Sequence, residues 1–413
     1  MSTAANPAAA GTGAGAWRTL IGQSAAVERL HAAAVASRAA LSGQSGAAVA
    51  AMTHAWLLTG PPGSGRSTAA RAFAAALQCA DMHAPGCGQC QDCHTALTGT
   101  HSDVTLVATD QLTIGVEQTR GLVLGAAMSP SRGRWQIIVV EDADRMTEGA
   151  ANVLLKAIEE PAPRTVWILC SPSTQDMLPT ILSRCRVLSL RTPSPEAIAD
   201  ALSATEGVEW GRAREAAQAA QGHIGRTRAL LFDSAAAAGR AEALKLPSEV
   251  ADVGRALKAA QSLVDAAAAE AKAVSEALDA KETDELKVAL GYGQGKGAGS
   301  ARGVAGSAGI LKELETRQKR RATRTQRDAL DRALIDIAAF YRDVLTQQID
   351  PQGAALRLVH ADHAQQTRAI AANSTPATTL RRIEAILEAR RVIAANVAPL
   401  LAVESMALTL RSG

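Results

Sequence analysis

The segment Gly60-Pro61-Pro62-Gly63-Ser64-Gly65-Arg66-Ser67 constrains this chain more than any other. It follows the pattern of a phosphate-binding loop, G-x-x-x-x-G-K-[ST], with arginine where the pattern has lysine. Such a loop needs a buried strand before it and a helix after it. Ala55 to Leu58 is apolar enough for the strand, and Ser67 to Leu77 has the period of a helix. The expected core is therefore an α/β nucleotide-binding fold. Its glycines let backbone N–H groups approach phosphate, and the helix N-terminus adds positive potential. Gly60, Pro61, Gly63, Gly65, Arg66, Ser67 and Thr68 are the candidate ATP-contacting residues, with the Ser67 hydroxyl directed to Mg²⁺. A lysine ammonium is a compact charge, whereas guanidinium is planar and forked. Arg66 can hold a phosphate and still misplace it, so binding has a clearer mechanism here than hydrolysis.

The length of 413 residues allows two or three domains, and 47% hydrophobic with 20% charged residues is the composition of a soluble globular protein. No window approaches the roughly 18 apolar residues of a membrane span. The first sixteen residues have neither a basic region nor an apolar core, so they read as a disordered leader, not a signal peptide, and the protein as cytoplasmic. A net charge of +3 argues against a chain that coats nucleic acid unaided. Five Trp, two Tyr and three Phe are too few for a base-stacking platform.

Four of the six cysteines, Cys79, Cys87, Cys90 and Cys93, fall in the arrangement C-x7-C-x2-C-x2-C. Four thiolates at this spacing suit a tetrahedral structural Zn²⁺, and glycines between them let the backbone turn round a metal. In a reducing compartment disulfides explain the pattern less well. Four sulfurs also leave no open coordination position, so a catalytic metal is not expected. His83 and His94 lie close by and read as solvated loop residues. Cys170 and Cys185 stand alone in apolar surroundings and read as core cysteines.

From Trp17 to about Leu190 short apolar runs alternate with helical periods, as in a parallel sheet flanked by helices. Strands are expected at Ala55 to Leu58, Val104 to Val107, Gln136 to Val140, Val166 to Cys170 and Val187 to Leu190. After Pro193-Ser194-Pro195 the chain is alanine-rich and helical. The organisation read from this is a leader at 1–16, a nucleotide-binding domain at 17–190 with the cysteine module at 79–93, a small helical domain at 191–240 and a helical unit at 241–413. Residues 291–309 hold eight glycines in nineteen positions and read as a flexible loop. Leu330, Leu334, Ile337, Tyr341 and Val344 form one apolar helical stripe, preceded by a basic run from Arg317 to Arg327 that is either a solvated face or a DNA-facing patch. Ile383, Leu387, Ile393 and Val397 suggest a closing helix pair.

A phosphate loop needs an acidic partner at a neighbouring strand end, and Ile137-Ile138-Val139-Val140-Glu141-Asp142 supplies one. The usual order is an aspartate at the metal and then a glutamate for the attacking water. Here the order is reversed, with Glu141 at the metal position and the shorter Asp142 where the base should reach.

Asn152-Val153-Leu154-Leu155-Lys156-Ala157-Ile158-Glu159-Glu160-Pro161, followed by Leu182-Ser183-Arg184-Cys185, is similar to the bacterial sliding-clamp loader subunits, which are AAA+ proteins. The resemblance implies a RecA-like parallel sheet with flanking helices, a small helical lid and an all-α collar. Arg66, the Glu141-Asp142 order and the cysteine module beside the Ser-Arg-Cys triplet look most like the delta-prime kind of subunit, in its actinobacterial form, within DNA polymerase III. That kind implies a hetero-pentameric ring with motor and delta subunits, acting in the cytoplasm at the replisome on the sliding clamp and primer-template DNA, with little or no ATPase activity of its own. Arg184 is then an arginine finger acting in trans, Gln23 matches the N-terminal box framing the nucleotide site, and Ser171 sits near a sensor position. Two other readings remain. One is an ATP-hydrolysing motor subunit of the same family. The other is a zinc-dependent DNA-binding protein on a degenerate ATPase fold.

Overall fold

The computed structural model describes residues 15–81, 83–108, 113–289, 300–353 and 358–412. The chain divides into two compact units, Met1–Thr227 and Arg228–Gly413.

The first unit is built on five parallel strands, β1 (Ala55–Thr59), β2 (Val104–Val107), β3 (Gln136–Val140), β4 (Thr165–Ser171) and β5 (Arg186–Ser189), in the order β2-β3-β4-β1-β5. Each lies within a residue or so of its expected place. The central strands β1, β3 and β4 are buried along their whole length, which is why they read as unbroken apolar runs. Successive side chains leave opposite faces of the sheet. Leu58, Ile137, Val139 and Ile168 join the core with helices α1 (Ser24–Leu41) and α2 (Arg66–Gln78). Leu57, Ile138, Val140 and Leu169 join a second core with α5 (Glu148–Glu159) and the one-turn helix α6 (Pro179–Leu182). This is a RecA-like parallel sheet with helices on both faces. Helices α3 (Gln91–Thr98) and α4 (Val116–Ala126) complete it, and α7 (Pro195–Glu206), α8 (Trp210–Ala219) and α9 (Ile224–Phe232) follow.

The leader read over 1–16 is too long at its C-terminal end. Gly15–Thr19 forms a 3₁₀ turn with Ala16 and Trp17 buried, because Ala16 N donates to Gly86 O at 3.0 Å and the Trp17 indole donates to Pro85 O at 3.0 Å. Residues 1–14 lie outside the described residues. Cys170 is fully buried in β4 and Cys185 half-buried, its thiol pushed up to about 12 by burial, as core cysteines should be.

The connection into β3 is held by one carboxylate. Asp103 is buried and accepts from Ser131 N at 2.7 Å, Ser131 Oγ at 2.7 Å, Arg132 N at 2.9 Å and Gly133 N. Burial opposes its ionisation, but these donors outweigh burial and hold it down to about 2. A carboxyl whose folded value lies below its unfolded one contributes stability that is full above about pH 4 and is lost as pH falls through about 2. Asp103→Asn is therefore expected to cost about 2 kcal/mol at pH 7. In urea unfolding the gap from the unsubstituted chain should narrow steadily between pH 4 and pH 2.

The second unit is all helical: α10 (Ser234–Glu249), α11 (Val253–Ala289), α12 (Ser300–Ile349), α13 (Ala364–Ala372), α14 (Pro376–Ala394) and α15 (Pro399–Ser412). Leu330, Leu334, Ile337, Tyr341 and Val344 are buried together in its core, as their spacing indicated. The stripe read on the last two helices needs correction. Leu387 is 48% exposed and Val397 39% exposed, while the inward face of α14 is Ile386, Ala389 and Ile393. The glycine-rich loop read over 291–309 also changes: 291–299 lie outside the described residues, and 300–309 are the first turns of α12.

Pairing of α12 with α11 neutralises much of the basic run. Arg321 Nη1 donates to Glu282 Oε1 at 2.9 Å and Nη2 to Asp279. Arg317 lies 4.0 Å from Glu282, Arg324 lies 3.7 Å from Asp328, and Arg327 donates to Asn396 at 2.6 Å. Arg321, and at longer range Arg317, thus tie α12 to the acids of α11. No described helix is long and apolar enough to cross a membrane.

Candidate functional site

The residues expected to contact a nucleotide gather where the strands of the sheet end. Gly65 caps α2 in the left-handed conformation, φ +89°, which brings the loop into the helix N-terminus. Gly63 has φ +83°, and a Cβ there would stand 2.3 Å from His223 Cγ, so the loop lies directly beneath that imidazole. A Cβ on Gly60 would stand 2.6 Å from Ser64 Oγ and 2.7 Å from Leu190 O. Pro61 is exposed, and Ser67 and Thr68 are half-buried in the first turn of α2. Arg66 turns back on its own loop, Nη1 donating to Gly60 O at 2.8 Å. Gln23 is buried behind the loop and ties it to the segment after β5: Nε2 donates to Ser64 O at 3.1 Å and Arg191 O at 2.5 Å, and Oε1 accepts from Arg191 N at 3.2 Å.

Glu141 follows β3 directly and is engaged by a cation of the same chain. Arg71, one turn into α2, places Nε at 2.8 Å and Nη2 at 2.7 Å from Glu141 Oε1. Asp142 leads into the turn Ala143–Arg145. Burial, and then the charge of Asp142, push the Asp144 carboxyl up, while Arg145 and Arg66 pull it down, so these groups share one local field. Ser171 is buried opposite Thr59, and its hydroxyl donates to Ser173 O at 2.8 Å. The structure thus brings the phosphate loop, both acids and Ser171 together. Within the chain Arg66 is hydrogen-bonded to the Gly60 carbonyl and Glu141 is ion-paired with Arg71.

The four cysteines converge, with all Sγ atoms within 4.8 Å of one another. A tetrahedral zinc with Zn–S of about 2.3 Å needs sulfur–sulfur edges of about 3.8 Å, so the donor set fits after a small contraction. Backbone donors already face the sulfurs: Ala80 N and Cys93 N approach Cys90 Sγ at 3.5 and 3.4 Å, and Cys90 N approaches Cys87 Sγ at 3.4 Å. Such donors favour anionic sulfur. Within the cluster the Cys93 thiol holds Cys79 down to about 4 by hydrogen bonding, and Cys93 is itself raised. Gly86 and Gly88 have φ of +88° and +72°, and a Cβ on Gly86 would strike the Trp17 indole at 2.7 Å. Neither His83 nor His94 joins the cluster.

Arg184 lies on the turn between α6 and β5, away from its own phosphate loop in sequence and exposed. Nη1 donates to Thr180 O at 2.9 Å and Ser183 Oγ at 3.0 Å, and Nη2 pairs with Glu159 Oε1 at 2.5 Å.

Residues 41–194 match the family model described as "DNA polymerase III, delta subunit". The chain is 34% identical over 157 residues to the DNA polymerase III subunit delta' of Haemophilus influenzae, covering 38% of this chain and 48% of that protein. It is 39% identical over 135 residues to the delta' subunit of Pseudomonas aeruginosa, covering 32% and 41%. The family match falls on the part of the chain that carries the sheet and the phosphate loop. The gamma/tau subunit of Mycobacterium bovis is 32% identical over 146 residues, covering 35% of this chain and 25% of that one. The chain spans about half the length, or less, of the delta-prime relatives it matches. At the level these matches share, the chain is similar in part to DNA polymerase III delta, delta' and gamma/tau subunits.

Several residues that shape these sites are invisible to motif reading. Trp17 anchors the cysteine loop, Arg71 takes the acid of β3, His223 roofs the loop at Gly63, and Glu159 holds Arg184. Only Glu159 lay inside a quoted motif. The others are joined to their partners across long sequence separations and carry no local pattern.

Proposed function

We propose that this chain is a delta-prime-type subunit of the clamp loader of DNA polymerase III, a member of a hetero-pentameric ring with motor and delta subunits. In this reading the ring opens the sliding clamp and closes it on primer-template DNA. Residues 191–240 serve as the lid and 241–413 as the collar of the ring. Arg184 reaches the ATP of a neighbouring motor subunit and stabilises the charge that develops on the transferred phosphoryl group. The observation that supports this most is the placement of Arg184, exposed on the turn before β5 and oriented by Thr180, Ser183 and Glu159. The four cysteines would hold a structural zinc that braces residues 79–93.

The motor reading has its own support in the gamma/tau match and in Ser67 at the head of α2. ATP turnover by the purified chain alone, with Ser67→Ala as control for contamination, separates the two. No turnover above the control is expected. Turnover on the order of one per second that vanishes in the control would make this chain a motor.

A further inference from the structure

We infer that Glu159 is the positioning residue for Arg184, orienting its guanidinium before the neighbour's phosphate arrives; the inference rests on the finger reading above. Glu159 is the last residue of α5, where the helix carbonyls already create negative potential and a carboxylate is locally unfavourable. Glu160 follows it and adds to the same charge. Arg184 is the cation that meets Glu159 there, at 2.5 Å, because α5 packs on α6 and α6 ends two residues before Arg184.

The way the guanidinium is used matters. Nη1 donates to Thr180 O and Ser183 Oγ, and Nη2 is ion-paired with Glu159 Oε1. Among the described contacts none engages Nε–H, which leaves that donor for a phosphate oxygen. Three contacts to three different residues fix a side chain that otherwise loses its rotamer freedom at the moment of phosphate contact. The pair is 38% and 44% exposed, so solvent screens it, and the carboxylate orients the arginine without sequestering it.

The test is ATP turnover of complexes reconstituted from motor subunits, delta and this chain as unsubstituted protein, Glu159→Gln, Glu159→Asp, Arg184→Ala and the double variant Glu159→Gln/Arg184→Ala. Assembly is checked by gel filtration. Glu159→Gln is expected to lower kcat at the facing site about 2- to 5-fold with KM for ATP unchanged, a loss the size of an exposed pair's coupling. Glu159→Asp should recover part of it, and the double variant should match Arg184→Ala alone. Wild-type turnover in Glu159→Gln while Arg184→Ala is inactive overturns the positioning role and leaves the finger reading standing. A double variant that falls further than Arg184→Ala by the full factor also overturns it, since Glu159 would then act independently. Wild-type turnover in Arg184→Ala overturns both.

Discussion

Arg184→Ala is expected to lower ATP turnover at the motor site it faces by about 10³-fold or more, the range of an arginine finger supplied in trans. The measurement needs a reconstituted complex in which the other motor sites carry disabled phosphate loops, so that one active site is observed. The folded chain should scarcely notice the change. Arg184 lies on the surface and its partner Glu159 is 44% exposed, so the lost pair is worth about 0–1 kcal/mol. Unaltered melting together with a collapse of turnover is the signature of a group that acts outside its own molecule. Arg184→Lys should behave nearly as badly as alanine, because an ammonium cannot keep contacts with Glu159, Thr180 and Ser183 and also present a donor to phosphate. Turnover within threefold of wild type in Arg184→Ala would leave no role for this residue in trans.

The second large effect is expected at the cysteines. Purified chain should carry one zinc, and Cys93→Ser should carry none. Cys93 is buried beneath α2, its thiol within 3.5 Å of Ala75 O, so a serine there can neither ligate well nor reach solvent. Structural zinc sites contribute about 10–16 kcal/mol of apparent binding free energy, and that energy is folding energy for a segment with little core of its own. Amide exchange of residues 79–99 should therefore become fast in the variant and after chelation. The disturbance should spread to Trp17, whose indole donates to Pro85 O and lies against the Gly86 turn. A metal-free purified chain with protected amides over 79–99 would show that thiols and packing suffice.

What was readable in the sequence was what is local. The phosphate loop, the cysteine spacing and the acidic end of β3 each fall within a short stretch, and the apolar runs of β1, β3 and β4 announce strands because both sheet faces are covered. The stripe from Leu330 to Val344 was legible because its inward residues are large. On α14 the inward face includes Ala389, and an alanine in an alanine-rich chain carries no signal, so Leu387 was mistaken for core. The state of the nucleotide site was illegible for a different reason. That Arg66 folds onto Gly60, that Arg71 meets Glu141 and that His223 covers Gly63 are facts of tertiary geometry. The lysine-to-arginine departure pointed to altered chemistry without indicating how the charge is used.

The strand order has a consequence for how the chain is made. β1 has β4 and β5 as its only neighbours in the sheet, and β4 begins more than a hundred residues after β1 ends. At translation rates of about 5–20 residues per second, Ala55–Thr59 waits on the order of ten seconds for its first strand partner. Such a wait leaves an apolar edge open to wrong pairing on the ribosome. α2 emerges at once and packs on β1, and the cysteine cluster that joins α2 to α3 is complete soon afterwards. The cysteine cluster and the phosphate-loop helix thus form the first cover for a strand whose sheet does not yet exist.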